Sequence, residues 1–146
     1  MLSGISKLLT GDVLKILCDM GHGDEIVISD ANFPAASISD RVIYCPGMNV
    51  SDVLEAIKKL FPLDVKYSDK AAFVMELTDS DKAAGMPDPE SWADYERILK
   101  GEYEDFELGK IERFAFYDRA KEAYAVILTG EERQYGNILL KKGVVL

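Results

Sequence analysis

The sequence contains a single histidine, His22, which stands between two glycines just before a short apolar run. Histidine is the side chain whose ordinary pKa lies closest to neutral pH, so it can donate or accept a proton under physiological conditions. Acid–base chemistry in this chain therefore depends on His22, or on a carboxylate, thiol or phenol with a shifted pKa. Asp30 follows the same apolar run at its other end and is the first carboxylate to consider.

The distance between His22 and Asp30 leaves two interpretations open. A strand rises about 3.3 Å per residue, so an extended chain keeps the two side chains apart. They can meet only if the flanking loops curl back or if a neighbouring chain supplies one of them. In the structural interpretation, His22 satisfies carbonyl oxygens at a helix C-terminus and Asp30 forms an Asx turn before Pro34. The spacing by itself favours this structural interpretation over a site in which His22 and Asp30 meet.

Two further clusters carry groups that could bind a sugar. The segment 113–119 contains Arg113, Arg119 and three aromatic residues, which could offer guanidinium donors to hydroxyl groups and a ring face to a pyranose. The segment 134–137 reads Gln-Tyr-Gly-Asn. Core packing explains the first cluster and turn chemistry the second equally well. Together with the His22–Asp30 segment, they supply polar groups suited to a neutral, polyhydroxylated ligand.

The sequence offers little for a metal or a cofactor. The potential ligands near the histidine are Asp19, His22, Asp24 and Asp30. Tight transition-metal sites use several nitrogen or sulfur donors at close spacing, which this set lacks. The Gly-x-Ser-x-Gly and P-loop motifs are absent, and Gly21-x-Gly23 precedes a strand instead of opening a helix. We therefore expect no bound metal and no cofactor.

The amino-acid composition excludes several classes of protein. The 146 residues are 48% apolar and 29% charged, which predicts one globular domain over residues 1–146. The net charge of −9 argues against a nucleic-acid or anionic-membrane surface. No apolar run approaches the about 20 residues of a membrane span, and residues 1–10 do not resemble a secretory signal. Two cysteines are too few for a disulfide scaffold, so we expect a cytoplasmic protein.

Helices and strands alternate along the chain. Strands are predicted near 26–28, 41–45, 71–77, 108–112, 124–128 and 137–141, and helices near 12–20, 51–60, 92–99 and 116–122. Asp12 and Ser51 are the expected N-caps of the first two helices, and residues 80–89 are the expected loop. The continuously apolar run 26–28 predicts a strand buried on both faces. This alternation favours a three-layer α/β domain with a largely parallel sheet.

Three stretches carry a resemblance to a known family. They are 20–26 continuing through 30–34, then 112–120, and finally 129–131 with 135–143. In them the sequence resembles the L-fucose mutarotase family, a branch of the superfamily shared with D-ribose pyranase. The likeness runs from end to end and is loosest over about 80–108. Asn32 stands where some relatives have histidine, so a second histidine cannot act there.

The resemblance implies a reaction, the interconversion of the α and β anomers of L-fucose by opening and reclosing the ring. It implies that His22 is the proton donor. It also implies that the sugar is held by Asp30, Arg113, Tyr135, Gly136 and Asn137. The proton acceptor would be Tyr135 or a water held by Asp30. No metal, nucleotide or redox cofactor is needed for this chemistry.

The resemblance further implies a three-layer α/β/α fold with a six-stranded mixed sheet. It implies ring-shaped homo-oligomers, commonly decamers of two stacked pentamers, in which the Tyr135-Gly136-Asn137 segment lines a neighbour's site. Two other functions stay open: pyranose–furanose interconversion of the D-ribose pyranase type, and sugar binding without turnover. The segments around Gly23 and Arg113 are more similar to the fucose branch.

Overall fold

Six strands form one mixed sheet in the computed structural model, which describes residues 2–146. The strands are β1 (Glu25–Ser29), β2 (Val42–Cys45), β3 (Ala72–Met75), β4 (Gly109–Ile111), β5 (Ala125–Thr129) and β6 (Ile138–Lys141). Their order across the sheet is β2-β5-β1-β6-β3-β4. All pairings are parallel except the two made by β6, which runs antiparallel to β1 and β3. The predicted mixed, largely parallel sheet is confirmed.

Helices cover both faces of the sheet. They are α1 (Gly11–Asp19), α2 (Ala35–Ile38), α3 (Val50–Ile57), α4 (Asp79–Ala83), α5 (Glu90–Lys100) and α6 (Arg113–Glu122). One core cluster joins α1, α3 and α5 to one face of the sheet, and a second joins α2 and α6 to the other. Successive strand residues alternate between the two clusters, as the two-residue period of a strand requires. The predicted three-layer α/β/α architecture is therefore confirmed.

β1 is buried on both faces. Ile26, Val27 and Ile28 have no solvent exposure, with Ile26 and Ile28 in one core cluster and Val27 in the other. A central strand with helices on either side needs apolar side chains at every position, which explains the continuous apolar run. Packing on both faces and hydrogen bonds to β5 and β6 on its two sides fix this strand in the centre of the sheet.

Some predicted boundaries were wrong. Thr10 caps α1 through its hydroxyl, 3.3 Å from the backbone nitrogen of Val13, and Asn49 caps α3 in a reciprocal capping box. Asp12 and Ser51 lie within the first turns instead, where the negative charge of Asp12 suits the helix dipole. The predicted loop 80–89 contains most of α4, because Thr78 provides an N-cap just before it.

The strand directions bring different chain segments together at the two edges of the sheet. Five strands end at one edge, so the residues that follow β1, β3, β4 and β5 meet there with the residues that precede β6. The segment that precedes β1 and the segment that follows β6 meet at the opposite edge, where the Gly23 nitrogen donates to the Lys142 oxygen over 2.8 Å. At about 3.3 Å per residue, β1 separates the two edges by about 17 Å.

The turn after β5 packs against the turn after β2 so closely that only glycine fits. A Cβ atom on Gly130 would lie 2.2 Å from the backbone oxygen of Pro46, whereas a Cβ atom on Gly47 would meet nothing within 4 Å. We expect Gly130→Ala to lower the free energy of unfolding by about 1–3 kcal/mol through this overpacking. Gly47→Ala should change it by less than about 1 kcal/mol. Urea unfolding measures both, and equal effects would contradict the packing argument.

Candidate functional site

A polar cavity of about 350 Å³ lies at the carboxyl edge of the sheet. Its lining residues are Asp30, Asn32, Phe33, Met75, Asp81, Arg113, Tyr117, Gln134, Tyr135 and Asn137. They come from the ends of β1 and β3, from α4, from the start of α6 and from the segment before β6. The fold thus brings together Asp30, Arg113, Tyr135 and Asn137, which are distant in the sequence, and Gly136 joins the last two.

A larger cavity, of about 450 Å³, lies elsewhere, between residues 65–71 and 102–107. Most of its charged side chains are acidic, and it contains none of the residues predicted to bind a ligand. The smaller cavity is the better candidate site, because its wall combines carboxylates, a guanidinium, phenols, amides and an aromatic ring. Such a mixture suits a ligand with several hydroxyl groups and an apolar face.

Asp30 and Asn137 form a reciprocal pair at the floor of this pocket. The Asp30 backbone nitrogen donates to Asn137 Oδ1 over 2.9 Å, and Asn137 Nδ2 donates to Asp30 Oδ2 over 3.0 Å. The Asn32 nitrogen donates to Asp30 Oδ1 over 3.0 Å, which is the Asx turn of the structural interpretation. Both Asp30 and Asn137 are buried, with 6% and 5% exposure. Asp30 thus has a structural role and also faces the pocket.

Burial raises the pKa of the Asp30 carboxyl above its ordinary value. Hydrogen bonds from the backbone of Asn32 and Gly136 and from the Asn137 side chain offset part of this effect, because they favour the charged form. A carboxylate in this environment is a better proton acceptor than a solvated one, since its charge is less stabilised.

Tyr135 has a backbone φ of 57°, in the left-handed region that favours glycine. For an L-residue with a Cβ atom this conformation costs about 1–2 kcal/mol. The tyrosine side chain is tied down: its hydroxyl donates to Asp81, and it accepts from the Thr78 nitrogen over 3.2 Å. An unfavourable backbone conformation that is held on several sides is typical of functional segments.

Asp81 and Arg113 carry opposite charges on the wall of the pocket. Hydrogen bonds from Tyr135 and Thr78, and then the positive charge of Arg113, hold the pKa of Asp81 below its ordinary value. The guanidinium carbon of Arg113 also lies 5.8 Å from the ring centroid of Tyr117, which packs in turn against Phe33. A charged acceptor, a charged donor and aromatic rings therefore surround one cavity.

His22 lies at the opposite edge of the sheet. Its Nε2 is 3.5 Å from Oδ1 of Asp64, and its side chain is 45% exposed, whereas that of Asp64 is only 3% exposed. The Ser68 hydroxyl donates to Asp64 Oδ2 over 2.6 Å and is the first cause of the lowered pKa of Asp64. The ring of Tyr67 lies 5.4 Å from the imidazole. A buried, charged carboxylate beside a histidine orients the ring and determines which nitrogen carries the proton.

The structural role expected for His22 belongs to Lys142. Lys142 Nζ donates to the carbonyl oxygens of Leu17 and Met20, over 2.7 and 2.5 Å, at the C-terminal end of α1. A cation at that position also suits the helix dipole. His22 therefore does not cap the helix, and its imidazole points to solvent beside Asp64.

One chain does not bring His22 into the pocket. The turn that carries His22 is fixed to the far edge by hydrogen bonds from Gly21 to the Asp24 side chain and from Lys142 to the Asp24 backbone oxygen, 2.7 and 2.8 Å long. The loops do not curl back around β1, so the first of the two routes to a meeting of His22 and Asp30 is closed. A meeting of the two residues would therefore require a neighbouring chain.

The sequence did not identify Asp64, which contacts His22, or Asp81 and Tyr117, which line the pocket. Tyr117 lies inside the recognised 113–119 cluster, so the cluster was the available signal. Asp81 lies in a segment predicted to be a loop, and no spacing links it to Tyr135. Asp64 reaches His22 only because Leu63 forms an isolated bridge with Lys142, at the end of β6. That contact depends on the order of strands in the sheet, which local patterns do not contain.

In residues 2–146 no group of three or more His, Cys, Asp and Glu side chains is arranged to hold a metal ion. Over the same residues, none of the helices has the length and apolar character needed to cross a bilayer.

The fold and the pocket define a three-layer α/β protein with a small polar site at the carboxyl edge of a mixed sheet. Residues 3–145 match the RbsD / FucU transport protein family. The chain belongs to this family, so the resemblance identified from the three sequence stretches is confirmed.

Individual relatives are similar to this chain over almost its whole length. The human protein named fucose mutarotase is 48% identical over 147 residues, covering 99% of this chain and 94% of its own. The crystal structure of the fucose mutarotase in complex with L-fucose from Streptococcus pneumoniae has a TM-score of 0.90 and 40% identity, covering 99% of this chain and 100% of that chain. Bacillus subtilis RbsD complexed with D-ribose is more distant, with a TM-score of 0.70 and 26% identity over the full length of both chains.

The buried Asp30 carboxyl predicts a specific pH dependence of stability. Because its pKa is raised in the folded protein, the unfolded chain loses this proton at lower pH than the folded one. The free energy of unfolding of the wild type, relative to Asp30→Asn, should therefore fall as pH rises from about 4 through the raised pKa, and then level off.

Urea unfolding of both proteins between about pH 4 and 8 measures this difference. Asp40→Asn serves as the control, because Asp40 is exposed. A difference between wild type and Asp30→Asn that rises with pH would contradict the burial argument.

Proposed function

We propose that this chain is an L-fucose mutarotase, which interconverts the α and β anomers of L-fucose as a single domain over residues 1–146. The observation that carries the proposal is the pocket at the carboxyl edge, which gathers Asp30, Arg113, Tyr135 and Asn137. The identity of 40% and the TM-score of 0.90 to a fucose mutarotase crystallised with L-fucose support the choice of substrate.

The reaction requires two proton transfers and no redox step. A base removes the proton from the anomeric hydroxyl, the bond between C1 and the ring oxygen breaks, and an acid protonates the ring oxygen. The open aldehyde then turns its other face, and the same two groups reverse their roles as the ring closes. We assign the acid to His22, with Asp64 orienting its imidazole over 3.5 Å.

For the proton acceptor we favour a water held by Asp30 over Tyr135. The Tyr135 hydroxyl already donates to Asp81, whose lowered pKa makes that carboxylate a poor acceptor of the phenolic proton. Asp30 faces the pocket and has a raised pKa, so it can take up the proton that the water removes from the sugar. In this proposal Asp30, Arg113, Tyr135, Gly136 and Asn137 hold the sugar hydroxyls.

The site is then shared between two copies of the chain. His22 and the pocket lie at opposite ends of β1, whose five residues span about 17 Å, which supports an acid supplied by a neighbouring subunit. A contact between two different patches of the same chain is heterologous, and repeated contacts of this kind form a closed ring when the rotation between neighbours closes. We therefore propose a ring-shaped homo-oligomer, with a decamer of two stacked pentamers as the expected form, in the cytoplasm.

Exchange NMR of L-fucose at equilibrium tests the activity. Added protein should accelerate exchange between the α and β anomer signals, and His22→Ala should reduce this effect by about 10²–10⁴-fold with the fold intact. D-ribose is measured in parallel. Faster exchange of ribose alone would favour the pyranase activity, and broadened sugar signals without faster exchange would favour a protein that binds without turnover.

Mixed oligomers test the shared site. When His22→Ala and Tyr135→Ala subunits assemble at random, about a quarter of the sites combine an intact acid half with an intact binding half. About a quarter of the wild-type activity per site should then return. Mixing His22→Ala with Asp64→Asn is the matched control, because both changes affect the same half, so the activity should not rise above the mean of the two variants measured alone. Absence of recovery in the first mixture would place the site within one chain.

A further inference from the structure

The segment 131–136 between β5 and β6 forms a wall of the pocket although it contains no helix or strand. Its conformation therefore depends on contacts with other elements. Three of these contacts come from one helix, α5, none of whose residues lines the pocket. Arg133 Nη1 donates to Asp94 of α5 over 2.8 Å, and Arg133 is also paired with the buried Glu131 of its own segment.

Two side chains of α5 bind consecutive backbone carbonyl groups of this segment. Trp92 Nε1 donates to the Tyr135 oxygen over 3.0 Å, and the Tyr95 hydroxyl donates to the Gly136 oxygen over 2.8 Å. Trp92 and Tyr95 are one helical turn apart, so they present their donors on the same face of α5. Both are buried, and Tyr95 has no solvent exposure. Neither side chain lines the pocket.

These two hydrogen bonds fix the backbone at two residues whose conformation is unfavourable or crowded. Tyr135 has a φ of 57°, which an L side chain rarely adopts. At Gly136 the backbone is crowded, since a Cβ atom there would lie 2.9 Å from Glu131 Cγ and 3.0 Å from the Arg133 oxygen. Fixing both carbonyl groups determines the orientation of the two peptide planes that flank Gly136. That orientation sets where Tyr135 and Asn137 direct their side chains.

We infer that Trp92 and Tyr95 are positioning residues, which hold the Tyr135–Asn137 segment in its sugar-binding conformation from behind through two carbonyl hydrogen bonds. The inference rests on the proposed function for the nature of the ligand, but its structural content concerns the segment itself. Because the acid His22 lies at the other edge of the sheet, loosening this segment weakens sugar binding and leaves the proton-donating half in place.

Tyr95→Phe tests the inference, since it removes only the hydroxyl. We expect the Kd and the KM for L-fucose to rise about threefold to tenfold, the effect of one lost hydrogen bond, while kcat stays within about twofold. Trp92→Phe removes the other donor and should act in the same direction. The side-chain amide signals of Asn137 in the sugar-free protein should shift or broaden in both variants.

Ile98→Val is the matched control. Ile98 is a buried residue of the same helix, and its truncation weakens the packing of α5 without removing a hydrogen bond to the segment. We expect an unchanged KM and unchanged Asn137 signals in this variant. If Tyr95→Phe and Ile98→Val raise the KM equally, or if Tyr95→Phe leaves both the KM and the Asn137 signals unchanged, the inference is wrong.

These readouts separate the inference from the proposed function. Wild-type protein that neither binds L-fucose nor accelerates anomer exchange would overturn the proposed function. The Asn137 signals would still decide the positioning role, because they are recorded without sugar: a change in Tyr95→Phe supports it, and no change overturns it.

Discussion

The straight, doubly buried strand β1 is the constraint on which the rest of the site depends. It joins His22 to Asp30 in the sequence and keeps them at opposite edges of the sheet. The strand cannot bend to bring them together, because Ile26, Val27 and Ile28 are packed from both faces and hydrogen-bonded on both sides. In the proposed mechanism each chain therefore carries two separate halves of the chemistry, and a complete site then requires two chains.

The carboxyl groups of Asp30 and Asp64, at the two edges of the sheet, have opposite electrostatic environments. In the pocket, Asp30 is a buried carboxyl held by neutral donors, so its charge is weakly stabilised and its pKa is raised. At the other edge, Asp64 is also shielded by neighbouring atoms, but a hydroxyl donor, Lys141 and His22 favour its charged form. One carboxyl is thus suited to take up a proton, and the other is suited to remain charged and orient an imidazole. The difference arises from their partners, since the residue type is the same.

Much of the fold could be predicted from the sequence, because it is expressed in local patterns. The apolar run of β1, the glycines beside His22 and the amphipathic α5 each have a short-range signal. The 113–119 cluster of arginine and aromatic residues and the polar 134–137 cluster could also be identified. What could not be predicted depends on strand order. Asp64 meets His22 through the bridge next to β6, and Asp81 meets Tyr135 across the pocket. Such pairs become neighbours only when the sheet is assembled.

Tyr135 shows why a functional segment can contradict local propensity. Its φ of 57° would be relaxed in a glycine, and glycine is in fact the next residue. Placing the tyrosine at the unfavourable position puts a phenol on the pocket wall, with its hydroxyl held by Asp81 and Thr78 and its carbonyl held by Trp92. Placing glycine at the following position lets the backbone pass between Glu131 and Asp30, where no Cβ atom fits. The order Tyr-Gly-Asn is therefore a compromise in which the surrounding helices stabilise a strained backbone so that the side chains can face the pocket.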